Sequence, residues 1–207
     1  MTDLLIVIDM QADFVSGALG SPEARAIVPA VAQRIRRARE EGTRVLFTLD
    51  THTPDYLSTR EGRHLPVVHC VKGTPGWALE PEIADARTPD MPLIEKPTFG
   101  STALAHLAAR QAKTPGGAGM VVELCGVCTD ICVVSNALLL KAALPDTQVQ
   151  VIYTTDCVSQ GWRNGSEEYF NMRDALHMYY LDDDSNHVYI NPYTNQPSQY
   201  DDTDPFR

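Results

Sequence analysis

The feature that most constrains the fold is a set of short apolar runs that alternate with helical patterns. The first run, Leu4–Ile8, contains no polar residue, which is typical of a strand buried on both faces of a sheet. Apolar residues then recur at helical spacing over about 23–41, and Gly42 follows, as is common at a helix end. Strands that alternate with helices form βαβ units, so the sequence predicts an α/β fold with a mostly parallel sheet. The later predicted strands are 45–49, 91–95, 120–125, 149–153 and 187–190, and the later predicted helices are 102–112, 129–143 and 166–181.

The chain length and the charge limit the classes of protein and partner. A chain of 207 residues suits one domain, which we predict over residues 1–190, followed by a polar tail over 191–207. The formal net charge of −10 argues against nucleic acid and anionic membranes as partners. No apolar run approaches the roughly 20 residues that a membrane helix needs, and the first residues do not resemble a signal peptide. Five cysteines, an odd number, favour reduced thiols and a cytoplasmic location.

Polar residues follow the predicted strands at the edge where ligands bind in open parallel sheets. Asp9, Asp50, Lys96 and Asp156 each come at or near the end of a predicted strand. Taken singly, such an aspartate most often caps a helix or forms a turn, and such a lysine is most often solvated. Because the ends of adjacent parallel strands meet at one edge, these residues together predict a shared site.

Three cysteines lie where the strand predicted over 120–125 gives way to a helix. Cys125 falls in the strand and is expected to be buried and inert. Cys128 falls in the turn, and Cys132 falls in the first helical turn if Thr129 is the N-cap, where the helix dipole lowers the pKa of a thiol. The alternatives are three small core residues, a zinc site that still needs a fourth ligand, and a C-x-x-C redox motif.

Three motifs together resemble the isochorismatase-like cysteine hydrolase superfamily. They are Asp9 in L-L-I-V-I-D-M-Q-A-D-F, Lys96 in E-K-P-T-F-G-S-T and Cys132 in G-V-C-T-D-I-C-V. The resemblance covers roughly residues 4–157. It implies an Asp–Lys–Cys triad on a doubly wound three-layer α/β/α sandwich with about six mostly parallel strands in the order 3-2-1-4-5-6. It also implies a cis peptide at the turn, which maps to Val127–Cys128.

The connection after the second predicted strand resembles the nicotinamidase branch of that superfamily. It reads L-D-T-H and then Y-L-S-T-R-E-G-R-H-L-P-V-V-H-C-V-K-G-T-P-G-W-A-L. The resemblance implies one divalent metal, zinc before iron or manganese, on Asp50, His52 and His69, with Glu61 as a fourth ligand or a water-mediated neighbour. The residue types agree, because Asp-x-His places both side chains on one side of an extended segment, and carboxylate with imidazole suits these metals. His64 is expected to be a surface residue.

The resemblance further implies hydrolysis of a linear amide, nicotinamide, to nicotinate and ammonia in NAD salvage. Cys132 would attack the amide carbonyl, Asp9 would transfer protons, and Lys96 would lie between them. The backbone N–H groups of Cys128 and Cys132 would bind the oxyanion. The residues expected to form the walls of the substrate pocket are Phe14, Phe99, Trp77 and Val127.

Two other functions stay open on the sequence alone. The same triad serves other amide or carbamoyl hydrolases and isochorismatase-type hydrolases, which need no metal. A non-catalytic binding protein is the third interpretation, because the chain after Gly161 matches the superfamily poorly. An aromatic helix in that segment would offer a surface for forming a homo-oligomer.

Overall fold

The computed structural model describes residues 2–155, 179–181, 187–191 and 196–199, and it describes the side chains of residues 2–152. The chain forms two compact units, Met1–Ser166 and Glu167–Arg207. All of the predicted triad, metal and pocket residues fall in the first unit. The site can therefore be built from the elements of that unit alone.

A five-stranded parallel sheet forms the centre of the first unit. Its strands are β1 (Leu4–Ile8), β2 (Arg44–Asp50), β3 (Leu93–Lys96), β4 (Val121–Val127) and β5 (Gln148–Thr155). They lie in the order β3-β2-β1-β4-β5, and every neighbouring pair in this order is parallel. The order changes direction at β1 and β4, and ligands bind at such a point in doubly wound sheets. The predicted α/β sheet and the order of its first five strands are confirmed.

Helices flank this sheet. The longest, α2, begins after Ser21, whose hydroxyl accepts a hydrogen bond from the Ala24 N–H at 3.0 Å, and it ends at Gly42 in the left-handed conformation (φ 72°). None of the helices in the described part of the chain is long and apolar enough to cross a membrane. The helices are α1 (Ala12–Val15), α2 (Pro22–Glu41), α3 (Arg60–His64), α4 (Pro81–Ala86), α5 (Thr102–Gln111) and α6 (Val134–Ala143).

Strand β1 is buried on both faces and separates two layers of core. Leu5 and Val7 pack in the cluster that contains the apolar face of α2. Leu4, Ile6 and Ile8 pack in the other cluster, with residues of α5 and α6. Each of these five side chains is at most 1% exposed, and burial of one such side chain contributes about 1.5–3 kcal/mol. The end of β1, where Asp9 follows, is therefore fixed from both sides.

The second unit contains three short antiparallel strands. They are β6 (Tyr179–Leu181), β7 (His187–Asn191) and β8 (Gln196–Gln199), in the order β6-β7-β8. The strand predicted over 187–190 is present, but it pairs antiparallel with β6 and β8, and a sixth parallel strand stays a prediction. The helix predicted over 166–181 does not reach its predicted end, because β6 occupies 179–181. The rest of that predicted range lies outside the described residues, and the bounds of domain and tail stay predictions.

Candidate active site

Asp9, Lys96 and Cys132 come together at the carboxyl edge of the sheet. The Lys96 Nζ lies 2.6 Å from Asp9 Oδ2 and 3.6 Å from Cys132 Sγ. Lys96 ends β3, Asp9 follows β1, and the intervening strand β2 sets the spacing between them. The exposed fractions are 0% for Asp9, 1% for Lys96 and 5% for Cys132. The sequence-predicted triad is therefore one buried cluster, with the ammonium group between the carboxylate and the thiol.

The Asp9 carboxylate is held by its neighbour on β2 as well as by Lys96. Thr48 donates a hydrogen bond from its hydroxyl to Asp9 Oδ1 at 2.6 Å, and the same hydroxyl accepts from the Asp9 backbone N–H at 3.2 Å. Asp9 also has a positive φ of 49°, in the left-handed region that residues other than glycine seldom occupy. A residue keeps this unfavourable conformation where surrounding contacts fix it, and the two hydrogen bonds with Thr48 fix Asp9 here.

Burial and charge shift the pKa of each member of this cluster. Burial raises the pKa of Asp9 above its usual value even though the Lys96 charge opposes that shift. Burial disfavours the Lys96 ammonium, but the negative charges of Asp9 and Asp50 hold its pKa well above the usual range. The lysine is therefore charged at neutral pH, while a carboxyl with a raised pKa is suited to take up and return a proton.

The local structure around Cys132 contains the predicted cis peptide, but it differs from the prediction in where the strand ends, in how the helix begins and in the thiol pKa. Strand β4 continues to Val127, a cis peptide joins Val127 to Cys128, and a π-helical turn over Thr129–Val133 precedes α6. Cys128, and not Thr129, is the N-cap residue of that turn. The prediction of a lowered thiol pKa is wrong, because burial raises the pKa of Cys132 well above its usual value against the opposing charge of Lys96. The thiol thus keeps its proton until a base accepts it.

Four side chains that suit a divalent metal converge beside the triad. Asp50, His52, Glu61 and His69 each present a ligand atom, and these atoms all lie within 4.8 Å of one another. The His52 Nε2 lies 3.0 Å from Asp50 Oδ2 and 3.7 Å from Glu61 Oε1, and the His69 Nε2 lies 3.5 Å and 3.9 Å from the same two oxygens. Ligands about 2.0–2.2 Å from one zinc ion lie roughly 3–3.5 Å from one another. The two distances to Asp50 Oδ2 fall in that range and the two to Glu61 Oε1 are longer, so Asp50, His52 and His69 fit a shared ion more closely than Glu61 does.

The two histidines are oriented by groups behind them. The His69 Nδ1 bonds the Val67 carbonyl oxygen at 2.7 Å, which turns Nε2 toward Asp50 and Glu61. The Tyr56 ring is fully buried and packs on both imidazoles, with centroid distances of 4.5 Å to His52 and 4.9 Å to His69. This support holds the ligand atoms in place, as metal sites require.

The metal candidates and the triad share a boundary at Asp50. In the register of β2 with β3, Asp50 is the direct partner of Lys96, and its Oδ1 lies 3.4 Å from the Lys96 Nζ. Burial opposes ionisation of Asp50, but the Lys96 charge and the hydrogen bonds from His52 and His69 hold its pKa well below the usual range. Asp50 is therefore an anion in the folded protein and faces both groups.

A pocket opens onto both groups. Its wall includes Cys132 of the triad and, among the metal candidates, Asp50, Glu61 and His69. Two of the four predicted pocket residues line it, Phe14 and Phe99. The other two lie elsewhere among the described residues: Val127 is buried in the core, and Trp77 packs against that core and donates its indole N–H to Thr51 Oγ1 at 2.9 Å. The apolar residues that complete the wall are Leu19, Leu65, Cys128 and Ile131.

The remaining predicted residues lie as follows. Cys125 is fully buried in β4, where burial raises its pKa to about 12, as expected of an inert thiol. His64 is exposed at the end of α3 and bonds the Arg60 carbonyl oxygen at 2.7 Å. Asp156 lies outside the described residues. The oxyanion role of the Cys128 and Cys132 N–H groups stays a prediction.

Sequence reasoning missed three buried residues that hold this site. Thr48 and Tyr56 are described above, and Gln11 is the third: its Oε1 accepts from the Asp50 N–H at 2.7 Å and its Nε2 donates to the Asp50 carbonyl at 2.9 Å. A signal existed for Thr48, which interrupts an apolar strand two residues before Asp50 and so shares its face. Tyr56 begins a three-residue 3-10 helix and Gln11 forms an isolated β-bridge with Leu79, and elements this short show no periodicity that marks a buried residue.

Comparisons with known proteins agree with this architecture. The isochorismatase domain family model matches residues 3–177. Nicotinamidase/pyrazinamidase from Bacillus subtilis is 26% identical with a TM-score of 0.63, covering 79% of this chain and 91% of that one. N-carbamoylsarcosine amidase from Thermoplasma acidophilum is 26% identical with a TM-score of 0.61, covering 79% and 90%. Pyrazinamidase from Pyrococcus horikoshii in complex with zinc is 29% identical with a TM-score of 0.61, covering 77% and 89%. No curated protein matches the chain, but the family model spans most of its length, and the chain belongs to the isochorismatase family of hydrolases.

Proposed function

We propose that this hydrolase is a metal-dependent cysteine amidohydrolase that converts nicotinamide to nicotinate and ammonia. The observation that carries the proposal is the shared pocket, whose wall includes Cys132 together with Asp50, Glu61 and His69. A metal site alone would account for Asp50, Glu61 and His69 but not for Cys132. A hydrolase that uses only a thiol would account for Cys132 but not for the other three. An amide whose ring carries a metal-binding nitrogen uses both.

The chemistry of the first step follows from the triad geometry. The Cys132 Sγ attacks the amide carbonyl carbon, and its proton passes to Asp9. The C–N bond then breaks, the leaving nitrogen takes that proton from Asp9, and ammonia departs from a thioester on Cys132. Lys96, 2.6 Å from Asp9 and 3.6 Å from the sulfur, stabilises negative charge on either group as the proton moves.

The second step regenerates the thiol. Asp9 takes a proton from a water molecule, the oxygen of that water attacks the thioester carbonyl, and the C–S bond breaks. The thiolate recovers the proton, and the acid product leaves. Burial keeps the pKa of Asp9 above its usual value, so the same carboxyl can accept and return a proton in each step.

The proposed cofactor is one divalent ion on Asp50, His52, His69 and Glu61. Carboxylate with two imidazoles suits zinc first, and iron or manganese next. A bound ion supplies a Lewis-acid site for the ring nitrogen of the substrate. The aromatic rings of Phe14 and Phe99 supply apolar walls against which the substrate ring is held.

Ammonia release from nicotinamide tests the proposal directly. The metal-loaded protein should release ammonia, and a chelator should abolish that release. Cys132→Ala should abolish turnover while leaving metal content unchanged. Cys125→Ala should keep turnover, because Cys125 does not line the pocket. Turnover by Cys132→Ala would rule out the thioester route.

A second candidate function rests on the likeness to N-carbamoylsarcosine amidase, at 26% identity. In that case Cys132 attacks the carbonyl carbon of a carbamoyl group, ammonia leaves, and no metal is needed. Ammonia release from a carbamoyl amino acid, but not from nicotinamide, in chelator-treated protein would favour it. Release from neither substrate by folded protein would favour a binding protein on the same scaffold. We further propose a cytoplasmic location and a role in NAD salvage.

A further inference from the structure

Asn136 is a buried side-chain amide in α6 that the proposed mechanism does not use. It is 0% exposed. Its Nδ2 donates to the Cys132 carbonyl oxygen at 2.7 Å and to the Phe99 carbonyl oxygen at 3.1 Å, and its Oδ1 accepts from the Ser101 N–H at 2.9 Å. Both N–H groups of the Asn136 amide donate to carbonyl oxygens and its oxygen accepts from an N–H, so these hydrogen bonds fix the orientation of the amide.

These three bonds join two segments of the site that are far apart in sequence. The Cys132 carbonyl belongs to the nucleophile itself. Phe99 lines the pocket, and the segment from Lys96 to Ser101 also supplies the Thr98 carbonyl, which accepts from the Lys96 Nζ at 3.2 Å. Asn136 therefore bridges the backbone that carries the thiol and the backbone that carries both the pocket wall and a partner of the triad lysine.

We propose that Asn136 is a positioning residue that fixes the Cys132 sulfur relative to Lys96 and the Phe99 wall. The proposal rests on the proposed function, in which Cys132 is the nucleophile. The π-helical turn over Thr129–Val133 places the nucleophile just before the regular helix that begins at Val134. The Asn136 amide supplies a side-chain bond to that backbone.

A purely structural role makes a different prediction from a positioning role. A buried amide can simply satisfy buried carbonyl groups, and its loss then lowers stability alone. A positioning residue also changes the rate, because displacement of a reacting atom by about 1 Å can lower a rate about 100-fold. The rate below the melting transition therefore separates the two roles.

The test compares Asn136→Ala, Asn136→Thr and Leu140→Ala in the full-length, metal-loaded protein. Leu140 is fully buried one turn along α6 and is not a partner in any of the three hydrogen bonds, so its truncation lowers stability without removing them. A threonine hydroxyl can bond the carbonyl four residues earlier. Asn136→Thr therefore restores the hydrogen bond to the Cys132 carbonyl and leaves the hydrogen bond to the Phe99 carbonyl broken. The first readouts are kcat and KM for nicotinamide. The second is the rate at which p-nitrophenyl acetate acylates Cys132, measured by the release of nitrophenolate, with the acylated residue identified by peptide mass.

We expect Asn136→Ala to lower kcat and the acylation rate by about 10–100-fold while KM changes by less than about threefold. Asn136→Thr should recover part of both rates, and Leu140→Ala should keep both near the wild-type values. The proposal is overturned if wild type acylates at Cys132 and the two Asn136 variants acylate as fast, or if Leu140→Ala loses as much rate. If Asn136→Ala does not fold, the threonine variant decides by the same comparison. If wild type does not acylate at Cys132, the nucleophile is misassigned, and the proposed function falls together with the role of Asn136.

Discussion

Replacing Lys96 with methionine tests the electrostatic reasoning about the site most directly. The side chain of Lys96 is 0% exposed and faces two carboxylates, Asp9 at 2.6 Å and Asp50 at 3.4 Å. Methionine has nearly the same length and fills the space without a charge. The substitution therefore leaves two buried carboxylates with no cation between them.

The expected loss of stability is large. Breaking a buried ion pair by removing one partner costs about 3–5 kcal/mol, because the remaining charge is uncompensated. For a protein of this size, a loss of 1 kcal/mol lowers the melting temperature by roughly 2–4 °C. Lys96→Met should then melt roughly 6–20 °C below wild type when both are free of metal. A bound divalent ion compensates Asp50, so metal should restore part of the difference.

The pH dependence of this loss has a defined sign. In wild type, the Asp50 pKa is lowered, so its contribution to stability is present above its unfolded pKa and is lost as pH falls through the folded value. In the variant, Asp9 loses its opposing cation, so burial raises its pKa further. A carboxyl with a raised pKa stabilises the fold at low pH and ceases to do so as pH rises through that value. The difference between wild type and variant should therefore grow as pH rises above the usual aspartate pKa of about 4.

Urea or thermal unfolding followed by circular dichroism at several pH values measures this difference. Lys72→Met is the matched control, because the Lys72 Nζ lies 2.6 Å from Glu95 Oε2 in a pair whose side chains are 58% and 42% exposed. Exposed pairs contribute about 0–1 kcal/mol. Equal losses in the two variants, or a Lys96→Met loss that is independent of pH, would refute the assignment of Lys96 as the cation that compensates the site.

Three further predictions follow from the same geometry. Burial opposes the charged form of His69, but hydrogen bonds to Asp50 and a backbone carbonyl raise its pKa above 6.5. Metal affinity should therefore fall as pH drops through that raised value. Calorimetry in buffers of different ionisation enthalpy should detect a proton released when the metal binds. Gln11→Ala removes both bonds to the Asp50 backbone and should weaken metal binding about 10–100-fold in a chelator competition, whereas Gln33→Ala on the exposed face of α2 should not. Gly126→Ala should destabilise the protein by more than about 1–3 kcal/mol in urea unfolding, because φ is +119° and an added Cβ would lie 2.1 Å from a backbone oxygen of β1.

The parts of the site that the sequence predicted are those that depend on strand ends. Asp9, Asp50 and Lys96 each sit next to an apolar run, and parallel strands place such residues at one edge whatever the loops between them do. Asp50 and Lys96 are direct partners in the register of β2 and β3, so the positions of the two strand ends are enough to place their side chains together. The motif around Cys132 then selected one thiol of three.

Residues that act through the backbone of a distant segment left no such trace. Gln11 and Asn136 each bond main-chain groups of segments 35 or more residues away, and hydrogen bonding to a carbonyl or an N–H places no requirement on the sequence there. The prediction of the pocket wall was partly wrong for the same reason. Phe14 and Phe99 line the pocket and Trp77 does not, although all three are aromatic residues in loops or short helices. Such contacts are set by the packing of whole segments.

The thiol pKa shows how one physical effect can reverse a prediction made from another. A helix start lowers a thiol pKa by a partial charge, but that effect falls off within a turn and is smaller than the cost of burying an anion. Cys132 is 5% exposed and has the Asp9 carboxylate as a neighbour, so burial dominates and its pKa is raised. For the proposed mechanism, the consequence is that proton transfer to Asp9 would accompany the attack on the carbonyl. Lys96 lies near both groups and stabilises the negative charge on whichever one has lost the proton, which explains why the lysine is buried between them.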